Sequence, residues 1–297
     1  MGSQLIAELL SLYAPSGSLD LEAYRQQIQR VAPYVTGLLV GGLAGDGLQL
    51  SAIELSAQMR AAHDEARGLP VWQGVLAPSP VDALRKIDEA CKARAVGVVV
   101  SGPVGQASWS EATQRYWDEV LTSASLPVII YDEPKITARC PSVTVAKLLQ
   151  HPVVVGYKDS TKDVIHAACV SAYLSGKDYY SGSDGLTWPL MAMGACGVIS
   201  LLVDPFPQLL RRLTTEAEAL DVVAARATHQ VIVQLRHILT QWPNQDGYKI
   251  VLHTLGIGMM PEEKVNSSGL SPSVLIQQVS NLKARYPAIL DTPDSEM

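Results

Sequence analysis

Several short runs in this chain are apolar along almost their whole length. Val96-Gly-Val-Val-Val-Ser101 and Pro127-Val-Ile-Ile-Tyr131 show no polar alternation. A strand with one face in water alternates; a strand covered on both faces, as in a parallel sheet, does not. Related runs occur at Thr36–Gly41, Val71–Leu76, Val153–Lys158, Tyr179–Ser181 and Gly197–Leu202, and Leu5–Leu12 supplies an eighth. Between them, Ala52–Arg67, Val81–Arg94, Ser110–Ser123, Ser142–Gln150 and Lys162–Leu174 gather apolar residues on one helical face. Strand and helix alternate throughout, the rhythm of βα units. Eight such units predict a (β/α)8 TIM barrel, a fold of about 250 residues; an open doubly wound sheet is the alternative that periodicity leaves standing. After Gln208 the strands stop, and Leu209–Thr240, Tyr248–Leu255 and Pro272–Tyr286 are expected to be helical. The expected division is a catalytic barrel over 1–222 and a helical extension over 223–297.

Composition narrows the function classes. Of 297 residues 47% are hydrophobic and 18% charged, too apolar for a disordered chain. With 23 basic against 29 acidic residues, neither a nucleic-acid nor an anionic membrane surface is expected. No apolar run approaches the roughly 18 residues of a membrane span. Glu8 interrupts the apolar N-terminal stretch and no basic segment precedes it, which argues against a secretory signal. Four scattered cysteines without a C-x-x-C pair predict a reduced, cytoplasmic protein. The six histidines include no H-x-x-x-H pair, so no metal site is expected.

Catalytic groups of such barrels sit at the C-terminal strand ends and in the loops that follow. Lys158 is the only lysine ending one of the apolar runs. In apolar surroundings its neutral amine is favoured and can attack a carbonyl to form a Schiff base; a pairing with Asp159 is the plainer alternative. Tyr131 ends the preceding run, where a phenol can relay protons, or can simply be a strand-end aromatic. The turn Gly41-Gly-Leu-Ala-Gly-Asp-Gly47 follows a strand and precedes a helix. Its N–H groups suit a carboxylate, although a tight turn alone would also use these glycines. Its spacing matches neither a dinucleotide fingerprint nor a P-loop. Asp132-Glu133 and Ser181-Gly-Ser-Asp-Gly185 are weaker candidates.

Together these segments resemble the dihydrodipicolinate synthase/N-acetylneuraminate lyase family of Schiff-base aldolases. Gly42-Leu-Ala-Gly-Asp46 is similar to its G-x-x-G-E loop, Tyr131-Asp-Glu-Pro134 to its Y-x-x-P, Gly156-Tyr-Lys-Asp-Ser160 to its G-x-K-D-S, and Gly194–Ser200 to its G-x-x-G-x-I-S. The four fall in family order over essentially the whole chain. The resemblance implies a barrel with a three-helix C-terminal extension, a homotetramer or homodimer, and no cofactor, because a lysine imine is itself the electron sink. It implies that Lys158 condenses with pyruvate or a related 2-oxo acid while Tyr131 shuttles protons. The amides of Leu43 and Ala44 would hold the substrate carboxylate, and the carbonyl of Ile199 would face the lysine. An aldehyde would be the second substrate. Gly182 and Asp184 match the sugar-binding turn of the lyases.

The departures concern substrate. Leu43 and Ala44 lack the hydroxyls relatives carry in the first loop. Gly105 stands at the position of the synthase's second relay tyrosine, and Ile136 at that of an arginine. Gly185 and Leu201 replace polar residues of the lyases. The expected protein is therefore a Schiff-base aldolase or lyase other than a true dihydrodipicolinate synthase, with a less polar pocket. Lys135, Glu133 or Arg139 are the residues available to supply compensating charge. A hydratase or dehydratase using the same imine, and a non-catalytic 2-oxo-acid-binding homologue, are the alternatives.

Overall fold

The computed structural model describes residues 2–174, 176–261, 266 and 268–290. Eight parallel strands run in sequence order and close on themselves: β1 (Gln4–Glu8), β2 (Gly37–Val40), β3 (Val71–Val75), β4 (Gly97–Ser101), β5 (Val128–Asp132), β6 (Val154–Asp159), β7 (Asp178–Ser181) and β8 (Gly197–Ser200). The crossovers carry α1 (Leu21–Val31), α2 (Ala52–Glu65), α3 (Pro80–Lys92), α4 (Glu111–Ser123), α5 (Ser142–Leu148), α6 (Val164–Ser171) and α7 (Thr187–Ala192), and α8 (Pro207–Glu218) follows the last strand. The closed β1–β8 pairing, with Gln4 opposite Gly197 and Ala7 opposite Ser200, makes this a (β/α)8 barrel and excludes the open sheet. α9 (Val222–Leu239), α10 (Asp246–Thr254) and α11 (Pro272–Arg285) extend it at the C-terminus.

Two expected elements are shorter than the apolar pattern suggests. The first strand ends at Glu8, because Leu9–Leu12 turn away as buried loop; hydrophobicity reports burial there rather than extension. The single helix expected over Leu209–Thr240 is two. Leu220 takes a positive φ of 57° and Asp221 caps the next helix by accepting the Ala224 N–H. Five crossover starts use the same device: Asp20, Ser51, Ser79, Ser110 and Asp163 each accept a backbone N–H from the first turn.

Alternation along each strand sorts side chains between two cores. One set packs outward against the helices. The other fills the barrel interior: Ile6, Leu39, Leu76, Val99, Ile129, Tyr131, Tyr180 and Ile199. Both are dominated by branched aliphatics, consistent with a chain having Phe206 as its only phenylalanine. No helix among the described residues is long and apolar enough to cross a membrane.

Candidate active site

Lys158 and Tyr131 lie opposite each other in the β5–β6 register, and both point into the barrel at its C-terminal end. The Lys158 Nζ sits 4.2 Å from the centre of the Tyr131 ring. Its polar partner is Glu8, at the end of β1, with Nζ donating to Oε2 at 2.6 Å. Both groups are buried, at 1% and 7% side-chain exposure. The alternative pairing of Lys158 with Asp159 does not occur, since adjacent strand residues face opposite ways. Asp159 points outward, where it accepts the Tyr179 hydroxyl at 2.8 Å and the Thr161 hydroxyl at 2.7 Å.

The same alternation sends Asp132 and Tyr157 to the outer face, where they brace the two site strands. Asp132 accepts the Tyr157 hydroxyl at 2.9 Å and the Cys140 N–H at 3.1 Å, and His166 also meets the Tyr157 oxygen at 2.9 Å. Burial raises the Asp132 pKa to about 7 against the opposing pull of those two hydrogen bonds. Burial likewise lowers that of His166.

The glycine-rich turn between β2 and α2 wraps over Glu8. A Cβ on Gly42 would stand 2.4 Å from Glu8 Oε1, and one on Gly47 only 2.0 Å from the Gly41 carbonyl oxygen, so both glycines are needed for close approach. The turn is tied down by Ser11, whose hydroxyl donates to the Gly45 carbonyl at 2.7 Å and accepts from Gln58 at 2.8 Å. The Ala44 N–H donates to Glu8 Oε1 at 3.0 Å. Glu8 thus joins the expected nucleophile to an amide expected to hold a substrate carboxylate.

Above this pair opens a cavity of about 300 Å³, at the small end of ligand-sized pockets. Tyr131, Leu43, Ala44, Gly182, Asp184 and Ile199 all line it, so the sequence candidates do converge. Lys158 itself is not a lining residue; it meets the cavity through Glu8 and Tyr131, which are. Asp184 is buried and accepts the Ser200 hydroxyl at 2.5 Å, with its pKa raised chiefly by burial. The Gly182 carbonyl accepts the Ser160 hydroxyl at 3.1 Å. Tyr131 donates to Glu133 Oε2 at 3.4 Å; burial and then the Glu8 and Glu133 charges push its pKa well up.

Charged side chains stand at the rim of the cavity beside the apolar Leu43, Ile199 and Leu201. Lys135, Lys162 and Arg236 line it, and none of the three has an ion pair among the described residues. The Lys162 pKa is lowered by burial and then by the Lys135 and Arg236 charges. Arg139, by contrast, is spent on Asp163 at 2.6 Å. Ile136 and Gly105, two of the departures, meet in a backbone hydrogen bond of 2.8 Å rather than at the cavity. Arg236, Trp242, Gln245 and Tyr248 reach the site from the C-terminal extension, where sequence motifs carried no signal. Glu8 did leave one: an acid ending an apolar strand at the catalytic end of the barrel.

Asp204, in the loop after β8, is buried, and its Oδ2 accepts the Leu10 N–H at 3.1 Å, while Oδ1 has no hydrogen-bond partner among the described residues. Burial raises its pKa well above 3.8, with Glu8 and Asp184 adding to the effect and the Leu10 hydrogen bond opposing it. The protonated form therefore contributes stability below the unfolded value, and that contribution is lost as pH rises through the folded one. Asp204→Asn, neutral at every pH, is expected to be more stable than the parent at pH 8 by roughly 1–3 kcal/mol, with the gap closing by pH 4. Denaturant unfolding at the two pH values checks this.

A family model described as the dihydrodipicolinate synthetase family matches residues 1–264. The chain belongs to this family. Among curated relatives, it is 26% identical over 255 residues to a 4-hydroxy-tetrahydrodipicolinate synthase of Exiguobacterium sibiricum, covering 84% of this chain and 87% of that one. The family fold recurs in the dihydrodipicolinate synthase of Thermotoga maritima, with TM-score 0.86, 22% identity and coverage of 97% and 99%. A prophage protein of the same family from Escherichia coli K12, solved with pyruvate, superposes at TM-score 0.84 with 24% identity, covering 95% of this chain and 98% of that one.

Proposed function

We propose that this family member is a Schiff-base aldolase or lyase whose Lys158 condenses with the ketone of pyruvate or a related 2-oxo acid. The observation that carries the reading is the Lys158 amine, held at the catalytic end of the barrel against the Tyr131 ring and next to a ligand-sized cavity. Family membership supports it, and so does the pyruvate bound by the prophage relative. The lysine nitrogen attacks the ketone, water leaves, and the cationic imine draws electrons from the adjoining carbon. That carbon then forms or breaks a bond to an aldehyde. Leu43, Ala44 and Ile199 border the bound 2-oxo acid, and Gly182 and Asp184 the second reactant. No cofactor takes part in these steps. The same imine would also serve a hydratase or dehydratase.

A substrate other than that of dihydrodipicolinate synthase belongs to this reading. The missing loop hydroxyls and Ile136 favour it, as do Lys135, Lys162 and Arg236 at the rim, which have no ion pair among the described residues and suit an acidic second reactant. The family also suggests a cytoplasmic homotetramer or homodimer; light scattering reads the assembly directly. Borohydride reduction with pyruvate, followed by intact mass, tests the imine. One observation favours the non-catalytic reading: Glu8 and Tyr131 stand between Lys158 and the cavity. A binding protein without turnover would show no reducible adduct.

Tyr131→Phe separates proton relay from imine formation. Its turnover is expected to fall about 10²-fold, while the borohydride adduct still forms. Unchanged turnover would remove the phenol from the chemistry.

A further inference from the structure

We propose that Glu8 is the general acid and base of imine and enamine formation at this site, steps separate from the proton relay assigned to Tyr131. The inference rests on the Schiff-base reading of Lys158 and adds a catalytic residue to it.

Three observations converge on Glu8. Its Oε2 is 2.6 Å from the Lys158 Nζ, within direct proton-transfer reach. Its Oε1 accepts the Ala44 N–H at 3.0 Å, the amide proposed for the substrate carboxylate. It also lines the cavity, so it touches both the nucleophile and the space where a carbonyl would enter. The neighbouring side chains serve this chemistry less well. Tyr131 presents its ring to Nζ and turns its hydroxyl to Glu133; Asp184 is engaged by Ser200, and Asp159 faces away. Leu43 and Ala44 offer no hydroxyl.

The sequence of transfers balances. The Lys158 ammonium passes one proton to Glu8, leaving a neutral amine and a carboxylic acid. Loss of charge on both sides dissolves the ion pair, and Glu8 yields the Ala44 N–H to the incoming carboxylate. The amine lone pair forms the N–C bond at the ketone carbon, and the carbonyl π pair moves to oxygen. One proton then shifts from nitrogen to that oxygen to give a neutral carbinolamine. Glu8 donates its proton to the hydroxyl, the C–O bond breaks, water departs, and the nitrogen lone pair completes the cationic imine. The regenerated carboxylate removes a proton from the adjoining carbon. The C–H pair becomes the enamine double bond, and the C=N π pair returns to nitrogen.

The test compares wild type, Glu8→Gln and Glu8→Ala with pyruvate as the probe. Two rates are read: borohydride-trapped adduct by intact mass, and exchange of the pyruvate methyl protons in deuterated water by NMR. Glu8→Gln, nearly isosteric but unable to carry a proton, is expected to slow both about 10²- to 10⁴-fold. Added formate is expected to restore both in folded Glu8→Ala in proportion to its concentration, a response that a merely structural role would not produce. Wild-type rates in Glu8→Gln, or no rescue of folded Glu8→Ala, would overturn the role of Glu8 while leaving the imine standing. Absence of any wild-type adduct with pyruvate or 2-oxobutyrate would overturn the imine reading, and the role of Glu8 with it.

Discussion

Lys158→Ala is expected to abolish the reducible pyruvate adduct and to lower turnover by about 10⁵-fold, the scale on which removal of a covalent nucleophile acts. Among the described residues no other amine is placed to substitute, because Lys135 and Lys162 stand at the rim while Glu8 and Tyr131 converge on the Lys158 nitrogen. The substitution also strands the Glu8 carboxylate in a buried position, which costs about 3–5 kcal/mol when one partner of such a pair is removed. Activity and stability are separable through Lys158→Met combined with Glu8→Gln. That pair leaves no buried charge and is expected to regain most of the lost stability, yet to form no adduct. Chemical denaturation and intact mass on the three proteins measure both effects. A surviving adduct in Lys158→Ala would place the imine on another residue.

Gly197→Ala is expected to produce the largest stability loss of any single methyl addition in the barrel wall, about 2–4 kcal/mol. Gly197 is paired with Gln4 where β8 meets β1, the contact that closes the sheet. An alanine Cβ there would lie 1.7 Å from the Gln4 carbonyl oxygen and 2.6 Å from its carbonyl carbon. Those are backbone atoms and cannot rotate away, so the two strands must part. The Gln4 N–H also donates to the Cys196 carbonyl at 2.8 Å, and that bond would be strained with them. Because β1 ends in Glu8, an opened seam would displace the ion pair too. A matching fall in denaturation midpoint and adduct yield is the expected result; an unchanged midpoint would show that the seam can widen freely.

The alternation of buried strands with helices was legible because its evidence is local. Runs such as Val98–Val100 and Val128–Ile130 are apolar on both faces, and helical stripes separate them at regular intervals. Length of burial was less legible than its presence. Leu9–Leu12 are as buried as the strand they follow, so hydrophobicity alone extended β1 too far. The break at Leu220 was hidden for a related reason: helical periodicity continues across it, and only the positive φ and the Asp221 cap mark the turn.

The candidate site divides along the same line. Lys158 and Tyr131 could be named because each ends an apolar run, and position within a run is a sequence property. Their facing one another is a register property, which the chain encodes only through the pairing of β5 with β6. Glu8 shows the limit most clearly. In the sequence it is a charge interrupting an apolar N-terminus, 150 residues from the lysine it meets. Barrel closure brings β1 around to complete the ring, and alternation turns Glu8 inward while Asp159, the neighbour of Lys158, turns outward. Arg236 and Trp242 enter the rim for an equally non-local reason, since α9 and the turn after it fold back across the mouth. The sequence by itself therefore determined the alternation of buried parallel strands with helices, the nucleophile candidate and the polarity of the strand ends, all carried by short-range patterns. The closure of the sheet into a barrel rather than an open sheet came from the pairing of β1 with β8. Only the tertiary structure decided which carboxylate partners that nucleophile and which cations ring the cavity, because those contacts depend on strand register and ring closure between segments that share no local pattern.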